Sequence, residues 1–306
     1  MVSTGCVVGV RHNLESLYMK KVKYQNMLKS DYFMESGNEA ERLDVKTDRA
    51  AVVEQAKWAG ATSGKRVADL GCGAGVTTSI LNDCTGPNGK ILGLDISPER
   101  IAYAETHNAA PRIDYVVGDI RTPLTAHGTF DVLFVRFVLE YYRHEAEAIV
   151  RNIYESLAPG GTICLMDLDY NCLSHYGIDA EIETELRGLI ETLERSFDFD
   201  PYVGRKLYSF LYDLGCEDIE VKMSAHHLIY GGLDPADRFN WRCKVEAAKP
   251  LMASEAAHQA FQEGFLRFFE DPRRFTYTPL IMCKGKKPMT PADARTGMKS
   301  DSADGL

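Results

Sequence analysis

Val67-Ala68-Asp69-Leu70-Gly71-Cys72-Gly73-Ala74-Gly75 is the stretch whose reading decides the fold. A short apolar run carries an acid at position 69, and glycines follow at 71, 73 and 75. Apolar residues resume at Val76, Ile80 and Leu81, the spacing of one helix face. The pattern predicts strand, tight glycine turn, helix, with a ligand-binding turn at the carboxyl end of a first parallel strand. The spacing also speaks against one ligand. A dinucleotide fingerprint, G-x-G-x-x-G, needs glycine at position 76, and Val76 stands there.

Outward from this turn, residues 66–168 alternate between strand and helix patterns. Strands are expected at 66–70, 90–95, 113–117, 130–135 and 161–168, with Ser97 capping a helix that opens on Pro98. Near-continuous apolar strands separated by helices predict a doubly wound, Rossmann-like α/β sheet. After Asp169 the alternation fails. Helices are expected at 178–195 and 202–214, and strands at 219–229 and 275–284. Those two strands read as an antiparallel pair closing a seven-stranded, mostly parallel sheet, with a long helical insert between them as a lid. The resulting organisation is an N-terminal helical cap (1–44), a core (45–230), a helical insert (231–272), a final core strand (273–287) and a polar tail (288–306) expected to be disordered.

Bulk properties narrow the function. The net charge is −9 over 306 residues, and the densest basic cluster, Lys20, Lys21 and Lys23, reads as a solvated helix face. No nucleic-acid partner is expected, because phosphate recognition needs a basic face. No apolar run reaches the roughly 18–20 residues of a membrane span, and residues 1–10 lack the basic leader of a signal peptide. Eight scattered cysteines without a C-x-x-C predict a reduced, cytoplasmic protein with neither a disulfide framework nor a metal site.

Three further elements fall at the ends of successive strands. Asp95 ends the second, where a carboxylate can accept both hydroxyls of a ribose, and Ile96 beside it can cover one face of a base. Asp119 follows the third strand, where it can accept from an adenine amino group while the Ile120 amide donates to the ring. Gly118-Asp119 also reads as a simple turn. Arg136 ends the fourth strand, either to contact a ligand through backbone or charge, or as a helix-start residue paired to a carboxylate.

Together, Asp69-x-Gly71-x-Gly73-x-Gly75, Asp95 and Asp119 resemble the class I methyltransferases that use S-adenosylmethionine (SAM). Leu157-Ala158-Pro159-Gly160-Gly161-Thr162 and the strand opening Phe130-Asp131-Val132 resemble the branch related to ubiquinone and menaquinone methyltransferases and many small-molecule enzymes. The resemblance covers about residues 45–170. It implies SAM as methyl donor, S-adenosylhomocysteine as product, and SAM-contacting roles for Asp69, Gly71, Gly73, Gly75, Asp95, Ile96, Asp119 and Ile120. Cys72 belongs to the same cofactor loop, but its side chain brings no chemistry of its own. Residues 32–43 also resemble a segment that lies over the cofactor in that branch. There Arg42 would pair with the SAM carboxylate, and Tyr32 or Tyr24 would line the site. The same residues also read as a surface helix with Glu/Arg pairs.

The expected reaction is methyl transfer to a small-molecule acceptor through an O, N, S or C atom. Alignment and a dry site are its main needs. No catalytic residue is named. His144, His175, His226 and His227 are candidate bases, and none sits in a motif that fixes its geometry. Tyr170, Tyr176, Tyr202, Tyr230, Phe239 and Trp241 suit an aromatic or apolar acceptor, or the core of a helical lid. The alternatives are an NAD(P)-dependent oxidoreductase, against which the missing fingerprint glycine and Asp119 count, and a non-catalytic SAM-binding protein. The oligomeric state is not legible; a dimer is compatible.

Overall fold

Every residue of β1 (Arg66–Leu70) after Arg66 is buried, because both faces of this strand are covered. Val67 joins one apolar layer with Leu81, Ile91, Val132, Phe134 and Cys164. Its neighbour Ala68 joins the other with Leu92, Leu133, Val135 and Ile163. Alternate side chains of a strand point to opposite faces, so a doubly covered parallel sheet demands near-continuous apolar runs. The computed structural model describes residues 39–289.

β1 pairs in parallel with β2 (Lys90–Asp95) and with β4 (Phe130–Arg136). β2 pairs with β3 (Ile113–Val117) and β4 with β5 (Leu157–Leu168), again in parallel. The order β3-β2-β1-β4-β5 reverses direction at β1. Such a switch point opens a crevice at the carboxyl ends of the central strands, where open α/β sheets bind ligands. α2 (Arg49–Ala59) and α3 (Val76–Thr85) pack on one face. α5 (Ala146–Tyr154) and α7 (Leu207–Asp213) pack on the other. α4 (Pro98–His107) is capped by Ser97, whose hydroxyl accepts from the Arg100 amide.

The late strands pair antiparallel as expected, with β8 (Phe275–Lys286) lying between β5 and the edge strand β7 (Glu217–Tyr230). An eighth strand, β6 (His175–Tyr176), extends the sheet beside β8. Two residues are too few to show a period, so the expected count of seven fell one short. β5 also begins at Leu157 rather than at 161. Leu157 already pairs with Phe130 across a register shift, and Pro159-Gly160-Gly161 belongs to that irregular start instead of ending a helix.

The C-terminal insert is two helices, α8 (Pro235–Ala247) and α9 (Glu255–Glu270). Asp234 caps the first and Ser254 the second, and a single 3-10 turn at Lys249–Leu251 separates them. With α6 (Ala180–Ser196) they enclose a core of their own: Leu186, Leu189, Trp241, Val245, Phe261, Phe265 and Phe269. Full burial of such a side chain stabilises by roughly 1.5–3 kcal/mol, so these helices form a firmly packed layer. α1 (Glu39–Val45) meets this layer through Arg42, whose Nη1 donates to Asn240 Oδ1 of α8 at 2.6 Å. Among the described residues no helix is long and apolar enough to cross a membrane.

Candidate functional site

The glycine turn leaves β1 in a conformation that L side chains avoid. Gly71, Gly73 and Gly75 have φ of 79°, 53° and 83°. Space is lacking as well: a Cβ on Gly71 would sit 2.4 Å from Val138 Cγ2, and one on Gly75 2.5 Å from Tyr115 Oη. Only glycine satisfies both constraints. The turn is tied to β2 by backbone bonds, the amides of Gly71 and Cys72 both donating to the Leu94 carbonyl at 2.7 and 3.0 Å.

The decisive tie is a side chain. Gly73 N donates to Asp95 Oδ2 at 2.9 Å, so the acid of β2 and the glycine turn of β1 form one unit. Asp95 Oδ1 accepts from Ser97 N at 2.9 Å and from Arg100 Nε at 3.0 Å. Asp95 and Arg100 are buried together, each side chain 6% exposed. Arg100 was not among the expected site residues, although an arginine one turn into the helix after Asp95 is the signal that would have found it. Ile96, beside this buried pair, stays 36% exposed, a large apolar surface left open at the strand end.

Asp69 is buried at the end of β1 and accepts from Thr78 Oγ1 at 2.6 Å. Burial pushes its carboxyl up to about 7, against the Thr78 hydrogen bond and the Arg136 charge. Cys72 is buried between the two acids. Burial, with the charges of Asp69 and Asp95, pushes its thiol well above the usual range, which keeps it inert. Asp119 is half-buried and held by Arg121, whose Nε lies 2.9 Å from Asp119 Oδ2 and whose amide donates to Oδ1 at 2.8 Å. Partial burial raises the Asp119 carboxyl, but these bonds and the Arg121 charge outweigh it and hold it below the usual range. The Ile120 side chain is buried in the apolar layer.

Arg136 ends β4. Its Nε donates to Gln55 Oε1 at 3.1 Å and its guanidinium stacks 4.1 Å from the centroid of Phe137. Burial brings its pKa down to about 10. Phe137 has a φ of 59°, a left-handed conformation that is costly for an aromatic residue and marks the strand end as strained. Arg42 is buried too, with Nε and Nη2 on the Glu39 carboxylate at 2.8 and 2.7 Å. Tyr24 and Tyr32 lie outside the described residues.

Two of the four candidate histidines come to the end of β4. A register shift in β7 follows His226, and His227 has a φ of 52°. The His226 ring lies 4.8 Å from Phe137 and 4.0 Å from His227, which is 5.9 Å from Trp241. Burial, aided by nearby cations, holds both imidazoles well below their usual pKa, so they are neutral at pH 7. His175 is structural. It sits 5.5–6.0 Å from the rings of Trp241, Phe265, Phe268 and Phe269, and burial lowers it to about 4. His144 is exposed and pairs with Asp198. The six aromatic candidates do not share one environment: Trp241 is in the helical core, while Tyr176 and Tyr230 are largely exposed. Glu140 and Asp167 are buried neighbours, the Glu140 amide donating to Asp167 Oδ2 at 3.3 Å, and Asn171 Nδ2 donates to Glu140 Oε2 at 2.6 Å. Burial raises both carboxyls, and the charge of Glu140 raises Asp167 further.

Residues 67–161, from the glycine turn to the start of β5, match the family model described as a methyltransferase domain. The chain carries a SAM-dependent methyltransferase domain of class I. SAM is accordingly its methyl donor. The chain is 28% identical over 225 residues to the juvenile hormone acid O-methyltransferase of Bombyx mori, covering 69% of this chain and 76% of that one. It is 28% identical over 123 residues to the demethylmenaquinone methyltransferase of Lactococcus lactis, covering 39% and 48%. A proposed methyltransferase of Bacillus halodurans shares the fold, with a TM-score of 0.52 at 16% identity over 79% of this chain and 99% of that one. The chain thus spans about three quarters of the first relative and half of the second.

Proposed function

We propose that the chain methylates a small-molecule acceptor at the crevice between β1 and β4, with the donor seated on the glycine turn and the tip of β2. The observation that carries this reading is the Asp95 carboxylate closing on the Gly73 amide. It supports a hydroxyl acceptor beside a glycine-rich turn, at the switch point of the sheet. The residues fit the donor. A turn of three left-handed glycines, an acid at the strand end and an exposed Ile96 suit the methionine part, the ribose and the adenine in turn.

When bound, SAM supplies an electrophilic methyl on a sulfonium. The chain aligns and encloses the reactants. Asp95 accepts from the ribose, Ile96 covers the adenine, and Asp119 with the Ile120 amide reads its edge. Cys72 contributes only backbone, and Asp69 answers the α-ammonium beside Arg136. Arg42 serves as the strut between α1 and α8. The donor-carboxylate contact expected of it would require exchange of a bond to Glu39 or Asn240. α1 and the α8–α9 insert cover the acceptor side and exclude water. The seven described cysteines are all free, as suits a reducing compartment such as the cytoplasm.

Calorimetry tests the donor site. SAM and S-adenosylhomocysteine should bind at about micromolar strength, and NADH should not bind. Asp95→Asn should weaken both by about tenfold or more, since a charged hydrogen bond contributes about 1.5–3 kcal/mol. Unchanged affinity in a folded Asp95→Asn protein would remove Asp95 from the site.

A further inference from the structure

The end of β4 gathers more positive charge than the donor site uses. Lys46 Nζ lies 5.7 Å from the Phe137 centroid, on the ring that also carries the Arg136 guanidinium. Lys244 of α8 places Nζ 4.6 Å from the Trp241 centroid and 3.4 Å from Cys172 Sγ. His226 and His227 bridge the two rings. Among the described residues, Lys46, Arg136 and Lys244 have no carboxylate within the 4 Å of an ion pair. The acids nearby are committed elsewhere: Glu39 to Arg42, Asp69 to Thr78, Glu140 to Asn171, and Asp167 to the amides of Leu168 and Glu140.

An enclosed cation without a counter-ion is expensive. Burial and the charges of Arg42 and Lys244 push the Lys46 ammonium well below its usual pKa, the response expected where an anion is missing. Phe137 and Trp241 add flat apolar surface beside the charges. Cations flanking apolar rings recognise an anionic head on an apolar body.

We propose that the methyl acceptor is a carboxylic acid, its carboxylate held by Lys46 and Lys244 and its apolar part packed on Phe137. This rests on the methyl-transfer reading above. One carboxylate oxygen attacks the methyl carbon as the sulfur–methyl bond breaks. The electron pair of that bond stays on sulfur, giving neutral S-adenosylhomocysteine, and the acceptor becomes a methyl ester. The charges of carboxylate and sulfonium cancel, no proton is released and no base is required. That agrees with a site whose imidazoles stay neutral and unprompted by any carboxylate partner closer than Asp237, 3.8 Å from His227 Nδ1.

The test is calorimetry on the full chain saturated with S-adenosylhomocysteine, using benzoate, decanoate and citrate, each against its amide. At least one acid should bind ten or more times tighter than its amide. Lys46→Met and Lys244→Met should each cut that acid's affinity about tenfold, with S-adenosylhomocysteine affinity unchanged, and Lys46→Arg should restore most of it. With labelled SAM, the product formed from the binding acid should release its label as methanol in alkali, as an ester does. No acid preferred over its amide, or acid binding indifferent to both lysine variants, overturns the proposal while S-adenosylhomocysteine still binds. Failure of S-adenosylhomocysteine to bind overturns the donor reading, and this proposal with it.

Discussion

The proposed donor side and acceptor side of the crevice are built on opposite principles. Around Asp95 every charge is answered: Gly73, Ser97 and Arg100 all converge on one carboxylate. Around Phe137 the cations outnumber the free acids among the described residues. Lys46, Arg136 and Lys244 rest against rings, an amide and a thiol instead of carboxylates. A closed hydrogen-bond network fixes shape before binding, which suits a constant donor. An uncompensated field leaves binding energy to be released by a ligand, which suits a selected acceptor.

The largest effect should come from breaking the donor frame at its turn. Gly71→Val meets both an unfavourable φ, costing about 1–3 kcal/mol, and overpacking against Val138, costing about 1–3 kcal/mol more. Urea unfolding should show the loss, and SAM affinity should fall at least about a hundredfold. Wild-type affinity in this variant would mean that the turn is not the donor site.

Arg100→Met comes next. It leaves the buried Asp95 charge without its counter-ion, a change that costs about 3–5 kcal/mol where a buried pair is broken. The same truncation at Lys46, which has no acid partner among the described residues, should leave stability unchanged or raise it. Equal losses at the two positions, measured by denaturant midpoints, would erase the contrast between the two sides.

pH should separate the regions with opposite signs. Asp69 keeps its proton up to about 7 in the folded chain, whereas an unfolded aspartate loses it near 4. The folded state binds the extra proton between those values, so this group's contribution to stability falls as pH rises from about 4 to 7 and is then level. His226 and His227 do the reverse. Their folded pKa values lie well below the usual 6.5, so their contribution is full above 6.5 and is lost as pH falls below it. Asp69→Asn should therefore steepen the acid-side loss of stability and His226→Phe should flatten it. Parallel curves for the two variants would contradict these assignments.

The smallest effect belongs to Arg121→Ala. Its partner Asp119 is partly exposed, and such pairs contribute about 0–1 kcal/mol. Stability should barely change, and SAM affinity should drop less than tenfold as Asp119 loosens. A drop as large as that of Asp95→Asn would move Asp119 to the centre of the donor site.

The same contrast explains what the sequence reveals. Asp69, the three glycines and Asp95 lie within one strand–turn–helix–strand unit, so their proximity follows from local periodicity and turn chemistry. The parallel strands were legible for the same reason, since burial on both faces writes an unbroken apolar run. Arg100 was within reach but reads as one more charged residue of an amphipathic helix until its burial is seen. The insert reads as one long helical stretch, whereas the structure breaks it at Pro250 and the Ser254 cap. Lys46, Phe137, His226 and Lys244 carry no common signal. Four separate elements bring them together, and a register shift in β7, which no period predicts, follows His226.

A crystal structure with S-adenosylhomocysteine bound is the most direct test of this division. The account predicts both ribose hydroxyls on the Asp95 carboxylate, the adenine over Ile96, and the homocysteine sulfur turned toward the end of β4 where Lys46 and Phe137 stand. Ligand density away from the 71–75 turn, or a sulfur facing away from Phe137, would contradict it.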